Sequence, residues 1–140
     1  MILTRDLSKQ FDDFWAVDGV DLNVEPGEVL ALLGPNGAGK TTTVRMLTSV
    51  LRPTRGEASI AGFDIITQSK QVRASVGVLT EQHGLYDRMP ADEYLDFFGQ
   101  VYGMDRRARE TRIQKLLGDF GLLEVKKKRI GQYSKGMRQK

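Results

Sequence analysis

Polar and apolar residues alternate from Val20 to Glu25. Val20, Leu22 and Val24 fall on one side and Asp21, Asn23 and Glu25 on the other, which predicts a half-buried strand. Pro26-Gly27 predicts a turn. Val29-Leu30-Ala31-Leu32-Leu33 is continuously apolar and predicts a strand buried on both faces, as in a parallel sheet. A glycine-rich stretch, Gly34 to Gly39, follows it. Val44, Leu47 and Leu51 then fall at i, i+3 and i+7, one face of a helix that Arg52-Pro53 would end. Glu57 to Ile65 predicts further strand, interrupted at Gly62, and Val76-Gly77-Val78-Leu79 a second short buried strand. Beyond it the pattern turns helical. Pro90 suits a first helical turn, with Leu95, Phe98 and Val101 as its apolar stripe. Ile113, Leu116, Leu117 and Phe120 form another stripe, with Arg106, Arg107, Arg109 and Arg112 outside it. The chain reads as mixed strands followed by a helical half, without repeats or low-complexity linkers.

Composition narrows the chemistry. The 140 residues are 40% hydrophobic and 28% charged, the balance of one folded domain of ordinary size. There is no cysteine and one histidine, His83, so thiol catalysis, disulfides and multi-histidine metal sites are excluded. The longest aliphatic run is five residues, Val29 to Leu33, against the about 20 that a membrane-spanning helix needs. No signal-peptide pattern opens the chain, so a reduced, cytoplasmic location is expected. Net charge is +3 but unevenly spread: residues 1–103 carry 9 Lys+Arg and 14 Asp+Glu, residues 104–140 carry 12 and 4. That asymmetry fits either an anionic partner or an acidic counterpart outside the segment.

The sharpest local signal is Gly34-Pro-Asn-Gly-Ala-Gly39-Lys40-Thr41, which matches the spacing G-x-x-x-x-G-K-[ST]. It lies where phosphate chemistry needs it, between an apolar strand pattern and a helix pattern. Glycines let the backbone curl around phosphate oxygens, and successive N–H groups with the helix N-terminus bind the anion. Lys40 is then placed for the β- and γ-phosphates, and the Thr41 hydroxyl for Mg²⁺. These residues predict a nucleoside-triphosphate site.

Gly34-Pro-Asn-Gly-Ala-Gly-Lys-Thr-Thr-Thr43 resembles the Walker A loop of ATP-binding-cassette (ABC) transporter ATPases, and Val17 to Leu22 and Glu25 to Glu28 resemble that family's antiparallel-strand region. The resemblance runs along the whole chain. It implies ATP and Mg²⁺ as ligands, with Gly34, Asn36, Gly37, Ala38, Gly39, Lys40, Thr41 and Thr42 on the phosphates. By distance to the lysine it places the family's adenine-stacking aromatic at Phe11, with Phe14 and Trp15 as nearby competitors. It places the family's loop glutamine at Glu81, with Gln82 beside it; a carboxylate at Glu81 is a departure that could still approach Mg²⁺ or orient water. Tyr133-Ser134-Lys135-Gly136-Met137 resembles the ABC signature, matching at Ser134 and Gly136 and departing at Tyr133, Lys135 and Met137. This variant is similar to the branch serving exporters of drugs, sodium or polysaccharide. In the family that loop contacts the γ-phosphate held by a second subunit.

The resemblance implies an α/β fold: a P-loop sheet core, an antiparallel β subdomain and an α-helical subdomain, divided here into a strand-rich part, 1–82, and a helical part, 83–140. It implies export driven by ATP through a separate integral membrane permease, a dimer with ATP sandwiched between subunits, and a peripheral position on the inner face of the membrane. The family's Walker B strand, apolar and ending in Asp-Glu, occurs nowhere in the chain. The expectation is therefore the first part of a cassette, truncated after the signature, with ATP binding and doubtful turnover. Lys126-Lys127-Lys128-Arg129 reads as a solvated turn and no nucleic acid is expected, since no aromatic interleaves the run. Other P-loop enzymes, kinases or GTPases, remain as alternatives, as do soluble ABC proteins acting on ribosomes or DNA.

Overall fold

An N-terminal hairpin organises the first half of the chain. In the computed structural model, which describes residues 1–79 and 84–140, β1 (Ile2–Phe11) and β2 (Phe14–Val24) run antiparallel from Ile2↔Val24 to Phe11↔Phe14. β3 (Arg55–Ile60) pairs with the other edge of β1, and β4 (Phe63–Asp64) with β3, giving the antiparallel order β2-β1-β3-β4. The chain divides into two compact units, Met1–Val78 and Leu79–Lys140.

β1 lies in the centre of the sheet, yet its buried residues are Thr4, Leu7 and Ser8 rather than an alternating set. The register shifts on both sides of it, and Asp6 sits at φ 48°. Such bulges leave ladder groups unpaired, and the buried hydroxyls take them up. Thr4 Oγ1 donates to the Val20 carbonyl at 2.8 Å and accepts from Leu22 N at 2.7 Å. Ser8 Oγ donates to the Asp6 carbonyl at 2.9 Å and accepts from Gly19 N at 2.8 Å. Gly56, at φ 83°, lets β3 approach the bulge: a Cβ there would lie 2.1 Å from the Asp6 oxygen.

Against one face of this sheet pack α1 (Lys40–Leu47) and α2 (Ser69–Ser75). Leu7, Val17, Met46, Leu47, Ala58, Ile60, Ile65 and Val72 form the core. α1 buries Thr43, Met46 and Leu47, and it ends at Leu47 rather than near Arg52; Val44, expected on its inner face, is exposed. The two expected buried strands are also corrected. Val29–Leu33 and Val76–Leu79 take no regular structure, and Val29 is 98% and Leu33 90% exposed. An apolar run becomes a buried strand only with neighbours on its edges and layers on its faces, and among the described residues neither segment has a ladder partner.

The second unit is helical: α3 (Ala91–Val101), α4 (Arg106–Asp119), a 3₁₀ turn at Leu123–Val125, another at Ile130–Gln132, and α5 (Lys135–Arg138). Pro90 precedes α3 in an extended conformation rather than standing in its first turn. Asp105 caps α4 by accepting from Ala108 N at 3.0 Å. The core is Ala91, Ile113, Leu117, Leu122, Ile130 and Tyr133. Val101 and Phe120, expected within it, are exposed. Arg109, expected outside the stripe, is instead half-buried: its Nε donates to Asp96 Oδ1 at 2.7 Å and its Nη1 to the Met104 carbonyl at 2.7 Å, fastening α4 to α3 and to the turn between them.

Gly56→Ala is expected to cost more than about 2 kcal/mol, since a left-handed φ and a backbone clash add; an unchanged urea midpoint would remove the close approach from the account. The Asp96 carboxyl is held below the usual carboxylate range, first by the hydrogen bond from Arg109 and then by that from Gln100. Its contribution is therefore present above the unfolded value of about 3.9 and is lost as pH falls through the lower folded value. Asp96→Asn should lower the urea midpoint at neutral pH and lose less than the parent chain on acidification, the two converging once pH falls below the lowered folded value. Parallel acid profiles would contradict this pairing.

Candidate functional site

The glycine-rich loop is pressed against β2. Gly39 precedes α1 at φ 80°, and a Cβ on it would stand 2.3 Å from the Ala16 carbonyl oxygen and 2.9 Å from Val17 Cγ2. Only glycine permits that contact. Thr43 closes the first turn, its N–H and hydroxyl donating to the Gly39 carbonyl at 2.8 and 3.0 Å. No side chain caps the start of α1 and no acidic residue occupies its first turn. The helix thus presents unpaired N–H groups and a positive dipole end to the cleft. The Lys40 ammonium arcs back over the loop, donating to the carbonyls of Gly34 and Pro35 at 2.7 Å each. One of its three N–H bonds remains.

Phe11, Asn36, Gly37, Ala38, Gly39, Lys40, Thr41 and Thr42 line one cleft of about 370 Å³, together with Phe14 and Ala16. Gly34 serves the cleft as an acceptor for Lys40. The aromatics sort by strand register. Phe11 and Phe14 are the last pair of the hairpin ladder, so they share a face of it. Trp15, one residue on, lies under the Arg55 guanidinium, 4.9 Å from its ring centroid. Arg55 is itself held by Asp6 at 2.9 Å and Asp18 at 2.7 Å, and the Asp6 hydrogen bond chiefly raises its pKa. Phe14 was legible only as a competitor of Phe11; the two-residue turn Asp12-Asp13 is the signal that puts both at one cleft.

Glu81, Gln82 and His83 lie outside the described residues. Ser134 and Gly136 belong to the second unit. Ser134 is the N-cap of α5, accepting from Met137 N at 3.2 Å, which leaves its hydroxyl proton free to donate. Tyr133, a departure from the family's usual leucine, is buried, and its hydroxyl donates to the Val125 carbonyl at 2.9 Å. Arg138 pairs with Asp87, and Gly131 N donates to the Asp87 carbonyl at 2.9 Å. Lys127 of the basic run pairs with Asp92 at 2.7 Å.

A family model described as ABC transporter matches residues 17–140. The chain belongs to the ABC transporter family. All of it aligns, at 45% identity over 145 residues, with 59% of the ABC transporter ATP-binding protein NatA of Bacillus subtilis. It is 42% identical over 125 residues, 89% of this chain and 38% of the relative, to the doxorubicin resistance ATP-binding protein DrrA of Mycobacterium tuberculosis. A solved ATP-binding subunit of an ABC transporter superposes with a TM-score of 0.82 at 30% identity, over 99% of this chain and 58% of that one. The α/β fold is thus that of an ABC ATPase domain, and the chain spans about three fifths of the first of these relatives. No helix among the described residues is long and apolar enough to cross a membrane.

Within this ABC chain Tyr133 anchors the start of α5 to the core of the second unit. Tyr133→Phe is expected to cost about 1 kcal/mol, the net worth of one hydrogen bond. Equal urea midpoints for the two proteins would show that the Val125 tether contributes nothing.

Proposed function

We propose that this chain binds Mg·ATP and serves as the nucleotide-binding part of an ABC exporter. One observation carries the reading: the uncapped start of α1, Lys40 and an aromatic wall converge on a single cleft. The contact of Gly39 with Ala16 supports phosphate binding, because it aims the first-turn N–H groups into that cleft. In this reading Asn36 to Gly39 wrap the phosphates. Lys40 turns its remaining N–H towards the β- and γ-phosphates. Thr42 adds a phosphate contact, and Phe11 stacks on the base.

Thr41 is exposed in the cleft and offers a hard oxygen donor, the type Mg²⁺ prefers. Among the described residues no cluster of three or more acidic or histidine side chains could hold a metal. Thr41 would hold the ion together with the phosphate oxygens, and Glu81 is the further candidate. Bound there, Mg²⁺ neutralises charge on the β- and γ-phosphates.

The names of the relatives, ATP-binding proteins of ABC transporters and of drug resistance, support a role in transport, and the family resemblance implies a place on the inner face of a membrane beside an integral permease. A second ATP-binding subunit would face the nucleotide with its own Ser134 and Gly136, and Glu81 or Gln82 would sense the γ-phosphate. Hydrolysis belongs to the whole cassette: the 140 residues hold no apolar run ending in Asp-Glu to polarise water.

Lys40→Ala should weaken Mg·ATP binding by roughly tenfold to a hundredfold, the worth of a charge-assisted contact. Unchanged affinity by calorimetry would overturn the site.

A further inference from the structure

We propose that Phe14 is a second base-contacting residue, which with Phe11 forms a two-ring wall favouring purine over pyrimidine triphosphates. The inference rests on the reading of the cleft as a triphosphate site and goes beyond the single aromatic that the sequence assigns to it. Its starting point is a side chain without a structural use. Phe14 is 65% exposed, more than Phe11 at 45%, and lies outside the hydrophobic core. A phenyl ring so exposed at a hairpin tip buries little apolar area in the fold.

Register gives it a direction. Opposed residues of an antiparallel pair share a face, with Cβ atoms about 4.5–5.5 Å apart, and Phe11 and Phe14 are such a pair. Both line the cleft that holds Lys40 and the start of α1. Two phenyl rings therefore line the apolar end of the cleft that faces the glycine-rich loop. Lys9 Nζ stands 5.2 Å from the Phe11 centroid, so that ring already carries a cation. Among the described residues no cation is placed over Phe14, and the other nearby aromatic, Trp15, is engaged by Arg55.

The chemistry of this end of the cleft sets what it selects. Phe11, Phe14 and Ala16 carry no side-chain donor or acceptor, so none of them can read a base edge. Discrimination falls to stacked area. A bicyclic base covers both rings, whereas a monocyclic base covers about one. ATP and GTP are then bound alike, and UTP less well.

The test is calorimetric titration of the chain with Mg·ATP, Mg·GTP, Mg·UTP and inorganic tripolyphosphate, beside Phe14→Ala, Phe14→Tyr, Phe11→Ala and Lys40→Ala. Phe14→Ala is expected to weaken ATP and GTP at least about fivefold, to weaken UTP less, and to hold tripolyphosphate within about twofold. Phe14→Tyr should retain parent affinity for all four. An equal loss for tripolyphosphate would make Phe14 a structural residue and overturn the proposal. So would unchanged ATP affinity in Phe14→Ala while Phe11→Ala weakens it, which leaves the base on Phe11 alone and the triphosphate site intact. Tripolyphosphate binding indifferent to Lys40→Ala, or no binding of any ligand by the parent chain, would remove the triphosphate site itself and the proposal with it.

Discussion

The contact between Gly39 and the Ala16 carbonyl is the constraint from which the site follows. It joins the last residue of the glycine loop to the second strand of the hairpin with no side chain between them. α1 must then begin at Lys40, directly above the hairpin tip. The N–H groups at the start of α1 and the aromatic rings of the hairpin tip are brought to one cleft by that single approach. Any larger residue at position 39 would lift the helix start away from β2 and separate those N–H groups from the rings. The hairpin can serve as this platform because its irregularities are internally satisfied. Thr4 and Ser8 supply the hydrogen bonds that the bulges remove from the ladder, and a buried unpaired backbone group would otherwise cost about 1–3 kcal/mol.

What the sequence disclosed divides along the line between local and non-local chemistry. The phosphate loop was legible because its spacing encodes its own geometry: glycines where φ is positive, a lysine and a threonine at the start of the helix. β1 was illegible because two of its three buried residues, Thr4 and Ser8, are polar, which erases the alternation by which a strand is read. Val29–Leu33 failed in the opposite sense. Its composition states a preference for a sheet interior, and a preference is met only by neighbours elsewhere in the chain. The distance to Lys40 points to Phe11 over Phe14, whereas the register at the hairpin tip admits both.

Part of the charge asymmetry is balanced inside the second unit. Asp87, Asp92 and Asp96, all before the basic segment, pair with Arg138, Lys127 and Arg109 of that segment. Glu110 and Asp119 pair with Arg106 and Lys115 along α4. Most of these pairs are exposed and worth little. Their effect is placement: Asp87 and Arg138 bring the signature helix beside the segment leading into α3, and Ile130 N donating to the Met89 carbonyl at 3.0 Å continues the same seam. Ser134 is thus positioned by residues some fifty positions earlier, with Tyr133 beneath it. The Tyr133 ring fills the core of the second unit and its hydroxyl finds the Val125 carbonyl.

The glycine-rich loop is anchored unevenly, and the Lys40 ammonium lies across its weaker side. On its C-terminal side the loop is fixed by Gly39 on β2 and by the first turn of α1. On its N-terminal side it continues from Val29–Leu33, an exposed segment without a ladder partner among the described residues. The bonds from the Lys40 ammonium to the Gly34 and Pro35 carbonyls close the loop across that weaker side. If the cleft takes a phosphate, as proposed, the anion meets an ammonium whose hydrogen bonds already brace the loop. Its charge is undiminished by carbonyl partners, so attraction to the anion is intact while the loop stays curled. The cost of ordering the glycines falls on folding rather than on binding, and preorganised donors are worth more to a ligand than the same donors recruited on arrival.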